Sequence, residues 1–213
     1  MLNIAVLVSG GGTNLQALID AQANSQIPGG KIALVISSKD GAYALERAKK
    51  ADIPSQVLLR KQYNTQQGYD EALLALLQEY RIDLIVLAGF MTIISENVIR
   101  HYENRIINVH PALIPSFCGE GYYGLRVHEA ALKKGVKLTG ATVHFVNEIC
   151  DGGPIILQKA VEILPDDTPE TLQRRVMEQA EWKLLPKAVT LFCQGKISVK
   201  NGKTTIKGEC GND

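Results

Sequence analysis

The sequence predicts an α/β fold: a doubly wound, mostly parallel sheet that continues into a partly antiparallel C-terminal extension. Three observations predict it. Short apolar runs alternate with amphipathic segments through the first half of the chain. Those runs are almost continuously apolar, as strands covered on both faces must be. Beyond residue 137, two longer strand-like runs are separated only by the turn Asp151-Gly152-Gly153-Pro154, too short for a helical crossover.

In order, residues 3–8 form a branched apolar strand and residues 14–23 a helix. A second strand at 31–37 and helix at 42–51 follow, then a third strand at 55–59. Residues 66–80 read as an amphipathic helix, with Leu73, Leu74, Leu76 and Leu77 on its apolar side. Fully apolar strands follow at 83–88 and 106–110, and longer ones at 138–147 and 154–164. Thr168 can cap a long helix that takes Pro169 in its first turn and carries Leu172, Val176 and Leu184 along one stripe. The polar tail from Gln194 fits an edge hairpin turning at Asn201-Gly202. Residues 116–124 read as a mobile loop. The expected organisation is one domain, residues 1–213, with a phosphate-binding half at 1–105 and a catalytic half at 106–213.

Composition narrows the function. A formal net charge of +1 gives no field to gather nucleic acid or an anionic membrane. No apolar run reaches the roughly 18–20 residues of a membrane span. The N-terminal apolar run has no basic flank and runs straight into glycines, unlike a secretion signal. Cys118, Cys150, Cys193 and Cys210 are scattered without a CxxC pair, so they read as reduced thiols of a cytoplasmic protein.

Two clusters carry chemistry. Ser9-Gly10-Gly11-Gly12-Thr13-Asn14 lies between the first strand and the first helix. Glycines let a ligand approach the backbone, and a helix N-terminus offers unpaired N–H groups. Thr13 or Asn14 can cap that helix or add a donor. No Gly-Lys-Ser/Thr follows, and Leu15 occupies the final glycine position of a dinucleotide fingerprint. A bound monophosphate and an unliganded tight turn both fit. The second cluster begins with Asn108 and His110, two apart on a strand and therefore on one face at its carboxyl end. An amide beside an imidazole suits a carbonyl oxygen that gains charge. Asp151, in its glycine turn, is expected to pair with the imidazole and raise its pKa. Alone, His110 also fits a structural strand-end histidine, and Asp151 a turn former. Of the other histidines, His101 reads as exposed and helical, His128 as lying on a helix face, and His144 as a strand residue able to support the site. Only one of the three site residues is a good zinc ligand, so they form no metal set.

These residues resemble the glycinamide ribonucleotide formyltransferase family. The resemblance rests on Ser-Gly-Gly-Gly-Thr-Asn-Leu-Gln-Ala at 9–17, Leu-Ala-Gly-Phe-Met at 87–91 and Asn-Val-His-Pro-Ala-Leu-Ile-Pro at 108–115. It continues with Gly-Ala-Thr-Val-His-Phe-Val at 140–146 and Asp-Gly-Gly-Pro-Ile-Ile-Leu-Gln at 151–158. It implies a Rossmann-like formyltransferase fold and Asn108, His110 and Asp151 as the catalytic set. Gly12, Thr13 and Asn14 would hold a substrate phosphate, with Glu181 on the ribose. Leu87, Met91, Thr92, Ile93, Ile94 and Asn108 would line the folate pocket. The implied donor is 10-formyltetrahydrofolate and the acceptor glycinamide ribonucleotide, with no metal, no nucleic acid and no membrane, in a monomer or homodimer. Thr92 and Gln66 stand where many members carry arginine, Trp182 replaces a frequent histidine, and residues 117–124 differ from a shorter loop. Among rivals, formyltetrahydrofolate hydrolases carry a domain ahead of the catalytic one, whereas the first strand here starts at residue 3. Methionyl-tRNA formyltransferases add a C-terminal RNA-binding domain. An NAD-dependent oxidoreductase or other nucleotide-binding module would need a better glycine fingerprint.

Overall fold

The computed structural model describes residues 1–208. Seven strands form one sheet in the order β3-β2-β1-β4-β5-β6-β7. They are β1 (Leu2–Val8), β2 (Gly30–Ser37), β3 (Ser55–Val57), β4 (Leu84–Leu87), β5 (Ile106–His110), β6 (Leu138–Phe145) and β7 (Ile155–Glu162). The first five are parallel, while β6 runs antiparallel to β5 and β7 antiparallel to β6. This is the expected doubly wound sheet with an antiparallel extension. The third strand is shorter than expected: β3 is an exposed edge, Leu58 turns into the core beyond it, and residues 60–62 form a 3₁₀ turn.

Alternation along β1 divides the interior into two cores. Ile4, Val6 and Val8 face α1 (Thr13–Ala23), α2 (Tyr43–Lys50), α6 (Pro169–Val176) and α7 (Trp182–Cys193). Ala5 and Leu7 face α3 (Gln66–Glu79) and α4 (Glu96–His101). The chain runs outward from β1 to β3 and then returns to β4, so the topological switch lies between β1 and β4, where open α/β sheets take ligands. The glycine turn leaves β1 at that point, and residues 88–95 leave β4 beside it.

Residues 168–193, expected as one helix, are interrupted. A π-helical turn, Met177–Glu181, separates α6 from α7. Pro186 cannot donate to the carbonyl of Trp182, so regular pairing fails just beyond it. The start of α6 is as expected: Thr168 and Thr171 cap each other reciprocally, with Pro169 in the first turn. Residues 197–206 form the expected hairpin, β8 (Ile197–Lys200) and β9 (Lys203–Ile206), with Asn201 and Gly202 both at positive φ, as a type I′ turn requires. The short helices α4 and α5 (Leu125–Lys134) carry His101 and His128. No described helix is long and apolar enough to cross a membrane. Cys118, Cys150 and Cys193 are free thiols, and Cys210 lies outside the described residues.

Candidate active site

The end of β5 and the turn before β7 build the first cluster. Asn108 pairs in register with His144 of β6, and its Nδ2 donates to His144 Nε2 at 3.1 Å. The Nδ1 of His144 lies 2.8 Å from the Phe145 carbonyl. A carbonyl only accepts, so Nδ1 carries the hydrogen and Nε2 the lone pair that takes the Asn108 amide. The second Asn108 hydrogen faces Asp151 Oδ1 at 3.5 Å, too long to hold it firmly.

Asp151 is placed by its turn. Its φ is +55°, and a Cβ on Gly153 would lie 1.8 Å from the Phe145 carbonyl oxygen. Only glycine lets this turn close against β6. Asp151 Oδ2 accepts the Gly119 N–H at 2.9 Å and lies 3.4 Å from His110 Nδ1. His110 Nε2 donates to the Phe117 carbonyl at 2.8 Å. Residues 116–124, expected as a mobile loop, are thus tied by backbone groups to both side chains.

Electrostatics corrects one expectation. Burial, the largest influence, pushes the His110 pKa below its ordinary value and outweighs the upward pull of Asp151 and the Phe117 carbonyl. The carboxylate does favour the imidazolium, but a ring only 4% exposed loses more from desolvation. His110 therefore rests neutral at neutral pH. Burial raises the Asp151 carboxyl, yet the neighbouring His144 and His110 side chains, with the Gly119 N–H that it accepts, outweigh burial and hold the group below the usual carboxylate range. Burial and Asp151 also raise the Cys118 and Cys150 thiols, which makes them poor nucleophiles.

The glycine turn builds the second cluster. The carbonyls of Gly10 and Gly11 are drawn toward α2 by the Ala44 N–H and by Arg47 Nε. The N–H groups opening α1 have no intrahelical acceptor. Neither Thr13 nor Asn14 caps the helix as expected: the cap is Gly12, at φ 71° with no side-chain bond. Thr13 Oγ1 meets Met177 Sδ at 3.6 Å, and Asn14 Nδ2 donates to Glu181 Oε2 at 2.6 Å. The π turn thus brings Glu181 against the first turn of α1, where burial raises its pKa to about 7 despite the Asn14 bond. A groove of about 780 Å³ between α1 and α7 reaches Thr13 and Trp182 but none of Asn108, His110 or Asp151.

Residues implied for the folate side divide. Leu87 and Ile94 pack into the core beside α3 and α4. Met91 and Ile93 are exposed, and Thr92 lies between. Sequence reasoning missed the contacts of Phe117 and Gly119, which are made by backbone atoms and leave no side-chain signal.

Gly12 is constrained by packing. A Cβ there would sit 2.6 Å from Ala44 Cβ and 2.9 Å from Ala44 Cα. Gly12→Val should therefore destabilise the fold, by about 1–3 kcal/mol from the left-handed backbone alone. Thermal denaturation should show this loss; unchanged melting would show that the turn relaxes freely.

The formyl transferase family model matches residues 2–189. The phosphoribosylglycinamide formyltransferase of Haemophilus influenzae is 43% identical over 209 residues, 98% of this chain and 95% of that protein. The human trifunctional purine biosynthetic protein adenosine-3 is 43% identical over 203 residues, 94% of this chain but 19% of that protein. Glycinamide ribonucleotide transformylase 1 from Symbiobacterium toebii superposes with a TM-score of 0.91 at 41% identity, over 97% of this chain and 94% of that one. A formyltetrahydrofolate deformylase from Pseudomonas syringae superposes with a TM-score of 0.84 at 25% identity, over 96% of this chain and 65% of that one.

Proposed function

This chain belongs to the formyl transferase family, and we propose on that premise that it moves the formyl group of 10-formyltetrahydrofolate onto the amine of glycinamide ribonucleotide. The observation that carries the reading is the meeting of three groups distant in sequence: Asp151 lies 3.4 Å from His110 and 3.5 Å from Asn108 at the carboxyl end of β5. Residues 1–213 act as one formyltransferase domain. The half before residue 106 binds the substrate phosphate at the turn of Gly12, Thr13 and Asn14, with Glu181 turned toward the ribose. Both cosubstrates are small molecules, in keeping with a net charge near zero.

The reaction forms a bond from the acceptor amine to the formyl carbon and breaks the bond to the folate nitrogen. One proton must leave the amine and one must reach the departing nitrogen. Asn108 supplies the weakly held second hydrogen of its amide to the oxyanion. His110 rests neutral with its hydrogen on Nε2, and its Nδ1 lone pair faces Asp151. Asp151 passes the amine proton to Nδ1, and the Nε2–H leaves the Phe117 carbonyl to protonate the folate nitrogen. The tautomer then resets through solvent. Met91 and its neighbours through Ile94, with Leu87 behind them, flank the folate ring.

Incubation with 10-formyltetrahydrofolate, with and without glycinamide ribonucleotide, tests the reading. Tetrahydrofolate should accumulate only when the acceptor is present. Equal rates without it would make the chain a hydrolase, the activity named for the Pseudomonas syringae relative.

A further inference from the structure

The segment following β4 is held at its two ends by serine side chains, Ser9 at the head of the glycine turn and Ser95 before α4. At its start, the Met91 N–H donates to Ser9 Oγ at 2.8 Å. At its end, Ser95 Oγ donates to Asp70 Oδ2 at 2.5 Å and also caps α4 by accepting the Val98 N–H. Asp70 is 3% exposed, and its other oxygen accepts Gln66 Nε2 at 2.7 Å. Between the two anchors, Met91 and Ile93 are 51% and 84% exposed, so packing does little to hold them.

Ser9 is the more consequential anchor. It directly follows β1 and is bonded to Gly10, in the glycine turn whose Gly12, Thr13 and Asn14 are proposed to take the phosphate. Its side chain is buried, 4% exposed, and its Oγ shares a 2.6 Å hydrogen bond with Ser38 Oγ. The Ser38 N–H donates to the Val8 carbonyl. A hydroxyl has one hydrogen and two lone pairs, so Ser9 can serve Ser38 and Met91 together. One buried oxygen thus joins the backbone of the phosphate side to the backbone of the folate side.

We propose that Ser9 is a positioning residue that couples the two cosubstrate sites. An anion on the glycine turn fixes the backbone at Ser9 and Gly10. Through Ser9 Oγ it also fixes the Met91 peptide. The folate then meets a segment already ordered and loses less conformational freedom on binding. Coupling is reciprocal, so folate tightens the phosphorylated acceptor by the same factor. The inference rests on the assignment of the two sites above.

Isothermal titration of the full chain with tetrahydrofolate, which carries no formyl group to transfer, reads the coupling. In the parent, saturating glycinamide ribonucleotide should tighten tetrahydrofolate severalfold. Ser9→Ala should bind the acceptor alone as the parent does, bind tetrahydrofolate about fivefold more weakly when the acceptor is present, and bring the ratio near one. Asp70→Asn loosens the other end without touching the turn, so tetrahydrofolate should weaken while the ratio stays parental. An unchanged ratio in Ser9→Ala, or equal loss of the ratio in both variants, overturns the coupling. A parent that binds both molecules independently overturns it too and leaves the reaction standing. A parent that fails to bind tetrahydrofolate at all removes the folate assignment itself.

Discussion

Asp151→Asn should lower turnover by about 10²–10⁴-fold, the range that a positioned proton-transfer group contributes, with smaller changes in the affinity for either cosubstrate. The carboxylate accepts the Gly119 N–H at 2.9 Å and faces His110 Nδ1 at 3.4 Å. The substitution keeps size and one acceptor but removes the charge and the ability to carry the amine proton. Asp151 pulls the His110 pKa upward against burial, so its neutralisation should drop that pKa further below the ordinary histidine value. The resting enzyme already needs His110 neutral, so acidification should bring no recovery of the variant. Parental activity should fall on the acid side, as His110 takes a proton at rest. NMR titration of His110 in both proteins, beside pH–rate profiles, checks both statements. An unmoved His110 titration with near-parental turnover would return Asp151 to the role of a turn residue, and acid recovery would show that catalysis starts from the imidazolium.

What the chain discloses by itself depends on whether the signal is local. Strand β5 was legible to the residue because an apolar run ends at the polar Asn108 and His110. The glycine turn and the Asp151 turn were legible because their backbones need residues that almost nothing else supplies. The π turn was not, since Leu172, Val176 and Leu184 keep a helical stripe through it. The contact that the turn serves, Asn14 with the buried Glu181, spans 167 positions and leaves no local pattern. The sign of the His110 pKa was lost for the same reason. A neighbouring carboxylate can be guessed from a motif, whereas the depth of burial opposing it is a property of the packed molecule. The sequence shows His144 on a strand, but its service to Asn108 depends on the β5–β6 register.

Glu181→Gln should stabilise the protein at neutral and higher pH while weakening the phosphorylated substrate. The side chain is 6% exposed, and burial raises its pKa from 4.5 to about 7. Such a group helps the folded state while protonated. That contribution is fully present below pH 4.5 and is lost as pH rises through 7, because the folded protein binds the proton more tightly than the unfolded chain. A shift of this size corresponds to about 3 kcal/mol, which the substitution should recover above pH 7. Asn14 Oδ1 is buried without a hydrogen-bond partner, and the amide nitrogen of the replacement can donate to it while the oxygen keeps the Asn14 Nδ2 bond. His128 masks the effect in the parent. Burial first, and then the charge of His110, lower its pKa to about 4. Its share of stability is therefore lost as pH falls from 6.5 toward 4, a slope opposite to that of Glu181 over most of the same window. Between pH 4.5 and 6.5 stability should rise more steeply with pH in Glu181→Gln than in the parent, where Glu181 opposes the two buried histidines, His128 and His110. Thermal melts across pH 4–8 read both slopes, and titration with glycinamide ribonucleotide reads the affinity. A melting difference independent of pH would mean that Glu181 does not titrate in this window, and unchanged affinity would remove it from the substrate site.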